Sequence, residues 1–395
     1  MLILALAPFF YYALAIYCSW AYFRVRENGL SDRRDFTPAA SILKPVRGVD
    51  REAYLNFSSF CRLNYPDYEI LFAVEEPTDP VVAVIQRLQG EFPNIPIRLI
   101  TDVPQPGANR KLNSLCVLAR EAANELLVIS DSDVRVHPDY LLELAAPFKN
   151  DKVGAVTTFF RAATGGNLIT DLLSLVGATE TVPNALVAGK LEGKLKFLFG
   201  WTMATMKCHL AGIGGFEGMR DHHSDDFEMG NRMAAHGLDI QIVNRPIEMF
   251  FSESTPLNYW LHEMRWAIGL RNVRPAGYLG QVLTFGLPWA LLAVWAAPSL
   301  RIALFYPACY LLLRLGLVWL VGVRGLDDSV VRKRLWLVPL RDALGFIVWI
   351  VAFCTSRIHW RGCDYVVKDK LLQPVGSSKA FYEPRALETT TVYKP

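Results

Sequence analysis

The sequence lacks a surplus of charge of either sign. Its 41 Lys and Arg face 38 Asp and Glu, leaving a formal charge of +3. A protein that displaces counterions from a phosphate backbone needs a larger, clustered cationic excess, so no nucleic-acid partner is expected. Cysteine is sparse as well. Cys18, Cys61, Cys116, Cys208, Cys309, Cys354 and Cys363 are odd in number, and no two stand at C-x-x-C spacing. That excludes a disulfide framework or a zinc knuckle and fits a reducing compartment. Charged residues are only 20% of the chain while 52% is hydrophobic, against about 25% charged in ordinary globular proteins. The imbalance is uneven: residues 2–23 and 279–357 hold most of it, and residues 24–255 read as an ordinary mixed domain. A disordered chain and a wholly soluble enzyme are excluded. What remains is a globular domain joined to a membrane.

Residues 2–23 carry no charge and are long enough to cross a hydrocarbon core of about 30 Å. Nothing basic precedes them and no small-residue cleavage site follows, so a retained anchor is expected rather than a signal peptide. Arg24, Arg26, Arg33 and Arg34 come next, which by the positive-inside rule places the following domain in the cytoplasm of a multi-pass membrane protein. The C-terminal apolar region (279–357) splits into stretches 279–298, 302–323 and 335–356, followed by a tail, 358–395. The last stretch contains Arg341 and Asp342. Charges there are costly unless paired or facing protein, so this stretch is expected to start at the interface, and the number of full spans stays open.

Residues 37–255 alternate apolar runs with helical patterns. Residues 40–43, 69–74, 97–100 and 126–130 read as strands; 51–63, 79–92 and 110–123 read as helices. This spacing predicts an α/β fold with a mostly parallel sheet covered on both faces. Ligands then bind beyond the carboxyl ends of the strands. Glu75-Glu76 follows the second strand, and Asp131-Ser132-Asp133 follows the fourth. A D-x-D at that place offers hard oxygen ligands for Mg²⁺ or Mn²⁺ bridging to phosphates, although Asp is also common in turns. Asn109-Arg110-Lys111 opens a helix, which is either an anion site with Lys111 or a surface helix capped by Asn109. Asp225-Asp226 precedes another helix, as N-terminal capping carboxylates or as a general base; His222 and His223 beside it read as a solvated loop. Residues 256–276 form an amphipathic interfacial helix on which His262, Arg265 and Trp266 share a face.

In this order the pieces resemble the membrane-bound family 2 and family 21 glycosyltransferases, nearest to the ceramide glucosyltransferase-like group and its bacterial hopanoid-glycosyltransferase relatives. The resemblance runs from about Leu43 to Tyr365 and rests on LKPVRGVD (43–50), NYPDYEILFAV (64–74), NRKLNSL (109–115), SDSDVRV (130–136), GGFEG (214–218), DDFEMGNRMAAHG (225–237), MRWAIGLR (264–271) and Trp360-Arg361-Gly362. It implies a GT-A fold and inverting transfer of glucose or N-acetylglucosamine from a UDP-sugar to a lipid hydroxyl, on ceramide or a hopanoid polyol. Carried over by position, Asp226 is the catalytic base, with Arg265 and Trp266 at the reacting centre. Lys44, Glu76, Asn109, Lys111, Asp131 and His262 are the expected donor contacts, and Asp131 and Asp133 hold Mg²⁺ or Mn²⁺. The sequence departs from the family pattern twice: Glu76 stands where Asp is usual, and His262 where Gln or Arg is usual. Alternatives are a processive polysaccharide synthase, for which three or four spans are few, a catalytically silent membrane scaffold, and a nucleotidyltransferase.

Overall fold

A computed structural model describes residues 2–24, 35–163 and 166–375. Arg26, Arg33 and Arg34, and the tail beyond Val375, lie outside the described residues. Eight strands make one sheet: β1 (Ala40–Val46), β2 (Tyr68–Val74), β3 (Ile97–Ile100), β4 (Leu126–Ser130), β5 (Val134–Arg135), β6 (Val153–Ala162), β7 (Thr202–Met206) and β8 (Asp239–Met249). Their order is β3-β2-β1-β4-β7-β6-β8-β5. Pairings β2–β3, β1–β2, β1–β4 and β6–β8 are parallel, whereas β7 runs against β4 and β6, and β5 against β8. The sheet is therefore mostly parallel, as the strand–helix alternation predicts.

The strands read as unbroken apolar runs because both of their faces are covered. Along β1, β2 and β4, Ile42, Ile70, Phe72 and Val128 point into one core with Phe57, Phe60, Ile85 and Leu88 of helices Ala53–Phe60 and Val81–Glu91. The alternate residues Leu43, Leu71, Leu127 and Ile129 point into a second core with Leu112, Leu115, Met229 and Met233 of helices Arg110–Glu121 and Asp225–Ala235. The first core does not stop at the globular part. It continues through Tyr12, Ala15, Tyr310 and Leu317 of the apolar helices.

Three described helical units are long and apolar enough to cross a membrane: Leu4–Arg24, Leu168–Glu192 and Leu300–Gly325. The bent pair Pro275–Thr284 and Gly286–Trp295 would make a fourth. The unit at 168–192 interrupts what reads in sequence as an ordinary soluble domain. Of its three acids, Asp171 pairs with Arg334 at 2.7 Å and Glu180 with Arg341 at 2.9 Å, and the terminal Glu192 pairs with Lys196 and Arg274. Arg341 and Asp342, adjacent in helix Val338–Val351, do not pair with each other. Arg341 bonds Glu263 at 2.5 Å and the Tyr259 hydroxyl at 2.6 Å. Asp342 accepts two bonds from Arg314, at 2.6 and 2.9 Å, and one from Tyr310. Each charge faces a partner on another helix, which lets the charges stay in an apolar stretch. Past these helices, the segment expected as a tail begins with a three-stranded antiparallel sheet, β9 (Arg357–Trp360), β10 (Cys363–Lys368) and β11 (Leu371–Pro374).

Candidate active site

One cavity of about 1180 Å³ opens beyond the carboxyl ends of β1, β2 and β4. Asp131 and Asp133 enter it from the turn after β4, and Lys111 from the first turn of helix Arg110–Glu121. Lys111 is the hub. Its Nζ lies 2.9 Å from Asp131 Oδ1 and 3.1 Å from Asp225 Oδ2, and it donates to the Gly200 carbonyl at 3.1 Å. Burial works against its charge, but Asp131 and Asp225 outweigh it and hold the ammonium well above the ordinary lysine range.

Asp226 follows in the first turn of its helix. Its Oδ1 accepts from the Phe227 N–H at 2.7 Å and its Oδ2 from the Gly200 N–H at 3.0 Å. Burial and the neighbouring Asp225 push its carboxyl up to about 7, against the pull of Lys111 and the two N–H groups. A carboxyl titrating there is matched to proton transfer near neutrality. Gly200 keeps this spot open: a Cβ there would stand 3.3 Å from both Asp226 Oδ2 and Lys111 Nζ, and one of them would have to give by a few tenths of an ångström.

Asp133 differs from Asp131. Its Oδ1 is buried with no hydrogen-bond partner among the described residues. Burial, then Asp131 and Asp50, push it up to about 7, while Arg361 opposes them. Among the described residues no three His, Cys, Asp or Glu are grouped to cage a metal. Mg²⁺ and Mn²⁺ are nonetheless commonly held by one or two carboxylates with substrate phosphates completing the shell. An orphaned buried carboxylate oxygen beside a second carboxylate fits such an ion.

The motif helix, Pro256–Val273, supplies His262, Arg265 and Trp266 to the same cavity. His262 Nδ1 bonds Glu253 Oε1 at 2.7 Å, its ring lies 4.7 Å from that of Trp266, and its Nε2 is buried without a partner among the described residues. The Arg265 guanidinium sits 5.8 Å from the ring centroid of Trp360. Burial, and then Arg361, pull it below the ordinary arginine range.

Three of the expected donor contacts do not line the cavity. Lys44 is fully buried beneath it, donating to the Asp131 carbonyl at 2.9 Å and lying 3.8 Å from the Phe60 ring centroid. It supports the D-x-D turn from below. Asn109 is a cap: its Oδ1 accepts from the Leu112 N–H and its Nδ2 donates to the His222 carbonyl. Of the acidic pair, Glu76 is exposed, while Glu75 faces the cavity, both of its oxygens accepting from Arg110 Nη1 at 2.8 and 2.9 Å. The expectation of a solvated His222-His223 loop fails too. The backbone at His222 bridges Leu371 of β11, and the His223 ring packs against Gly269 of the motif helix. Burial, with Arg265 nearby, pushes His223 down to about 4, so it stays neutral.

Sequence reasoning missed Asp50, Glu253 and the placement of Arg361. The turn between β9 and β10 brings Arg361 to Asp50 at 3.2 Å, and Asp50 in turn accepts from the Ser132 hydroxyl inside the D-x-D. Trp360-Arg361-Gly362 was noticeable as a motif, but only the fold shows that it reaches back across the whole chain to the strand ends.

Residues 1–372 match the description of glycosyl transferase family 21. The chain belongs to that family. With this membership the sheet described above is a GT-A domain, carrying apolar helices at its N-terminal end and in its C-terminal region. Ceramide glucosyltransferase 1 of Caenorhabditis elegans is 24% identical over 58% of this chain and 49% of its own length. Ceramide glucosyltransferase 3 of the same organism is 31% identical over 31% of this chain and 26% of its own length. Beta-monoglucosyldiacylglycerol synthase of a Nostoc species is 23% identical over 68% of this chain and 59% of its own. The chain thus spans about half or less of the ceramide glucosyltransferases it matches. A solved mannosyltransferase of Pyrobaculum calidifontis, in complex with GDP-Man and Mn²⁺, aligns with a TM-score of 0.49 at 16% identity over 85% of this chain and 99% of that one.

Proposed function

We propose that this family 21 protein is an inverting hexosyltransferase that moves glucose or N-acetylglucosamine from a UDP-sugar to a lipid hydroxyl, with its GT-A domain on the cytoplasmic face of the membrane. The observation that carries the reading is Lys111. It joins the carboxylate of the D-x-D turn to the acidic pair that contains the base, within one cavity that also runs between the apolar helices. The acceptor hydroxyl loses its proton to Asp226 as its oxygen attacks the anomeric carbon, and the bond to the nucleoside diphosphate breaks on the opposite side. One displacement inverts the configuration. Lys111, Arg265 and Arg361 stabilise the charge that gathers on the leaving diphosphate, in a site where low dielectric strengthens each contact. Asp131 and Asp133 would hold a divalent cation, which when bound supplies Lewis-acid charge to the diphosphate. Trp266, beside the apolar helices, orients the acceptor.

Incubating the purified protein with a membrane-lipid extract and a panel of UDP-sugars, then identifying the product by mass spectrometry, tests the whole reading. A single added hexose on a lipid is expected. A polymeric product would favour the processive synthase, and release of pyrophosphate a nucleotidyltransferase.

Two substitutions probe the donor side. Asp133→Asn should weaken metal-dependent UDP-sugar binding by about tenfold or more and leave the remainder insensitive to EDTA in calorimetric titration. Equal affinity with and without chelator in the unsubstituted protein would remove the cation from the reading. Arg361→Ala should loosen UDP-sugar binding by about tenfold, the scale of one charge-assisted contact. An unchanged dissociation constant would confine Arg361 to holding the hairpin.

A further inference from the structure

Toward the membrane the cavity wall is largely apolar, with a polar patch on its far side. There Glu180, Thr181 and Asn184 face it from the unit Leu168–Glu192, and Tyr11 from helix Ala7–Arg24. The backbone widens into a π-helical turn at Gly177–Thr181; such turns re-aim side chains and concentrate at functional sites. Three of these polar groups are organised. Arg341, itself 1% exposed, fixes Glu180 Oε1 at 2.9 Å, and Glu180 Oε2 has no hydrogen-bond partner among the described residues. The Tyr11 hydroxyl donates to Asn184 Oδ1, which turns the Asn184 NH₂ away from Tyr11, where it meets no acceptor among the described residues. Arg341 and Tyr11 satisfy one side of each group, and the second carboxylate oxygen and the carboxamide NH₂ stay open to a ligand among the described residues. Arg341 also bonds Glu263, the residue after His262, so the patch and the motif helix share one rigid support.

We propose that Glu180 and Asn184 form a second recognition subsite for the acceptor lipid. Glu180 accepts an N–H or O–H, and Asn184 donates to a carbonyl or hydroxyl oxygen. The lipid that fits carries such a donor–acceptor pair near the hydroxyl that is glycosylated: a secondary amide or a second hydroxyl. A diacylglycerol offers only ester oxygens and leaves Glu180 facing an apolar chain. The inference rests on the lipid-glycosylation reading above.

The test uses the full chain in lipid nanodiscs with UDP-glucose and UDP-N-acetylglucosamine. The acceptors are ceramide, a lipid ending in a vicinal diol, their N-methyl and mono-O-methyl analogues, and a diacylglycerol of matched chain length. The better of the two donor-bearing lipids should exceed the diacylglycerol in kcat/KM by about tenfold or more, and methylating its second donor should cost on the order of tenfold. That methylation penalty should shrink in Glu180→Gln and in Asn184→Leu, whereas a merely structural role for either residue would lower all acceptors alike and leave the penalty intact. A penalty unchanged in both variants, or a diacylglycerol used within about twofold of the donor-bearing lipids, overturns the subsite alone. Nucleotide binding without transfer to any of these lipids overturns the glycolipid reading and the subsite with it.

Discussion

Asp226→Asn should lower transfer by about 10²–10⁴-fold while UDP-sugar affinity stays within about twofold, because the change removes a proton acceptor and not a donor contact. The substitution keeps the size of the side chain. It does not keep its bonding. Both carboxylate oxygens accept a backbone N–H, from Phe227 and from Gly200, and an amide has only one acceptor for the two. One of those bonds is lost, so a small shift of the Gly200 turn accompanies the loss of the base. The pH profile separates the two effects. With Asp226 pushed up to about 7, kcat/KM of the unsubstituted enzyme should fall tenfold per unit as pH drops below about 7, since only the ionised carboxylate takes the proton. Above that point it should level off. The residual rate of the Asn variant should have no such limb. A variant that keeps more than about a tenth of the activity, with the limb in place, would move the base to another group.

Much of the sheet was legible because β1, β2 and β4 are covered on both faces, and continuous burial leaves a continuous apolar run. The acidic positions after those strands were legible for the same reason. Glu75 and Glu76 mark where legibility ends. Adjacent residues beyond a strand point in different directions, and which one turns inward is decided by Arg110, whose Nη1 donates to both oxygens of Glu75. Burial of the helical unit 168–192 was hidden by its own charges. Asp171 and Glu180 lower its apparent hydropathy, and their partners Arg334 and Arg341 lie far along the chain. A residue-by-residue reading penalises a charge without knowing its partner. His223 follows the same rule in reverse: a histidine pair before two aspartates reads as solvated, yet the motif helix arrives with Gly269 to cover it.

Those long-range pairs also explain how a soluble-looking catalytic half keeps register with a membrane half. Arg341 gathers Glu180, Tyr259 and Glu263 at one point, and Arg314 ties the Thr179 carbonyl to Asp342. The unit 168–192, the motif helix and the C-terminal helices are thus fastened at two charged nodes. Such nodes contribute little net stability over apolar packing, but breaking one partner is expensive. The geometry at Arg265 and Trp266 therefore depends on residues buried well away from the reacting atoms.

Lys111→Met should damage both chemistry and fold, with transfer down by about 10²–10³-fold and the fold less stable by about 3 kcal/mol, the lower end for an uncompensated buried pair because the Lys111 side chain keeps 15% exposure. Methionine keeps most of the stem's packing, so the deficit reports the ammonium. Asp131, Asp225 and Asp226 then face one another without a cation, and the carboxyl of Asp226, already at about 7, moves further up. The sign of the pH effect follows. A carboxyl whose folded pKa exceeds its unfolded value of about 4 binds more protons in the folded state, so stability falls as pH rises between the two values and is constant above the higher one. The melting-temperature gap between Lys111→Met and the unsubstituted protein should therefore be narrow near pH 5 and widest above pH 8. The acid limb of kcat/KM should shift to higher pH in the variant. A gap independent of pH would mean that Lys111 acts through packing, and an unshifted limb would mean that its charge does not reach Asp226.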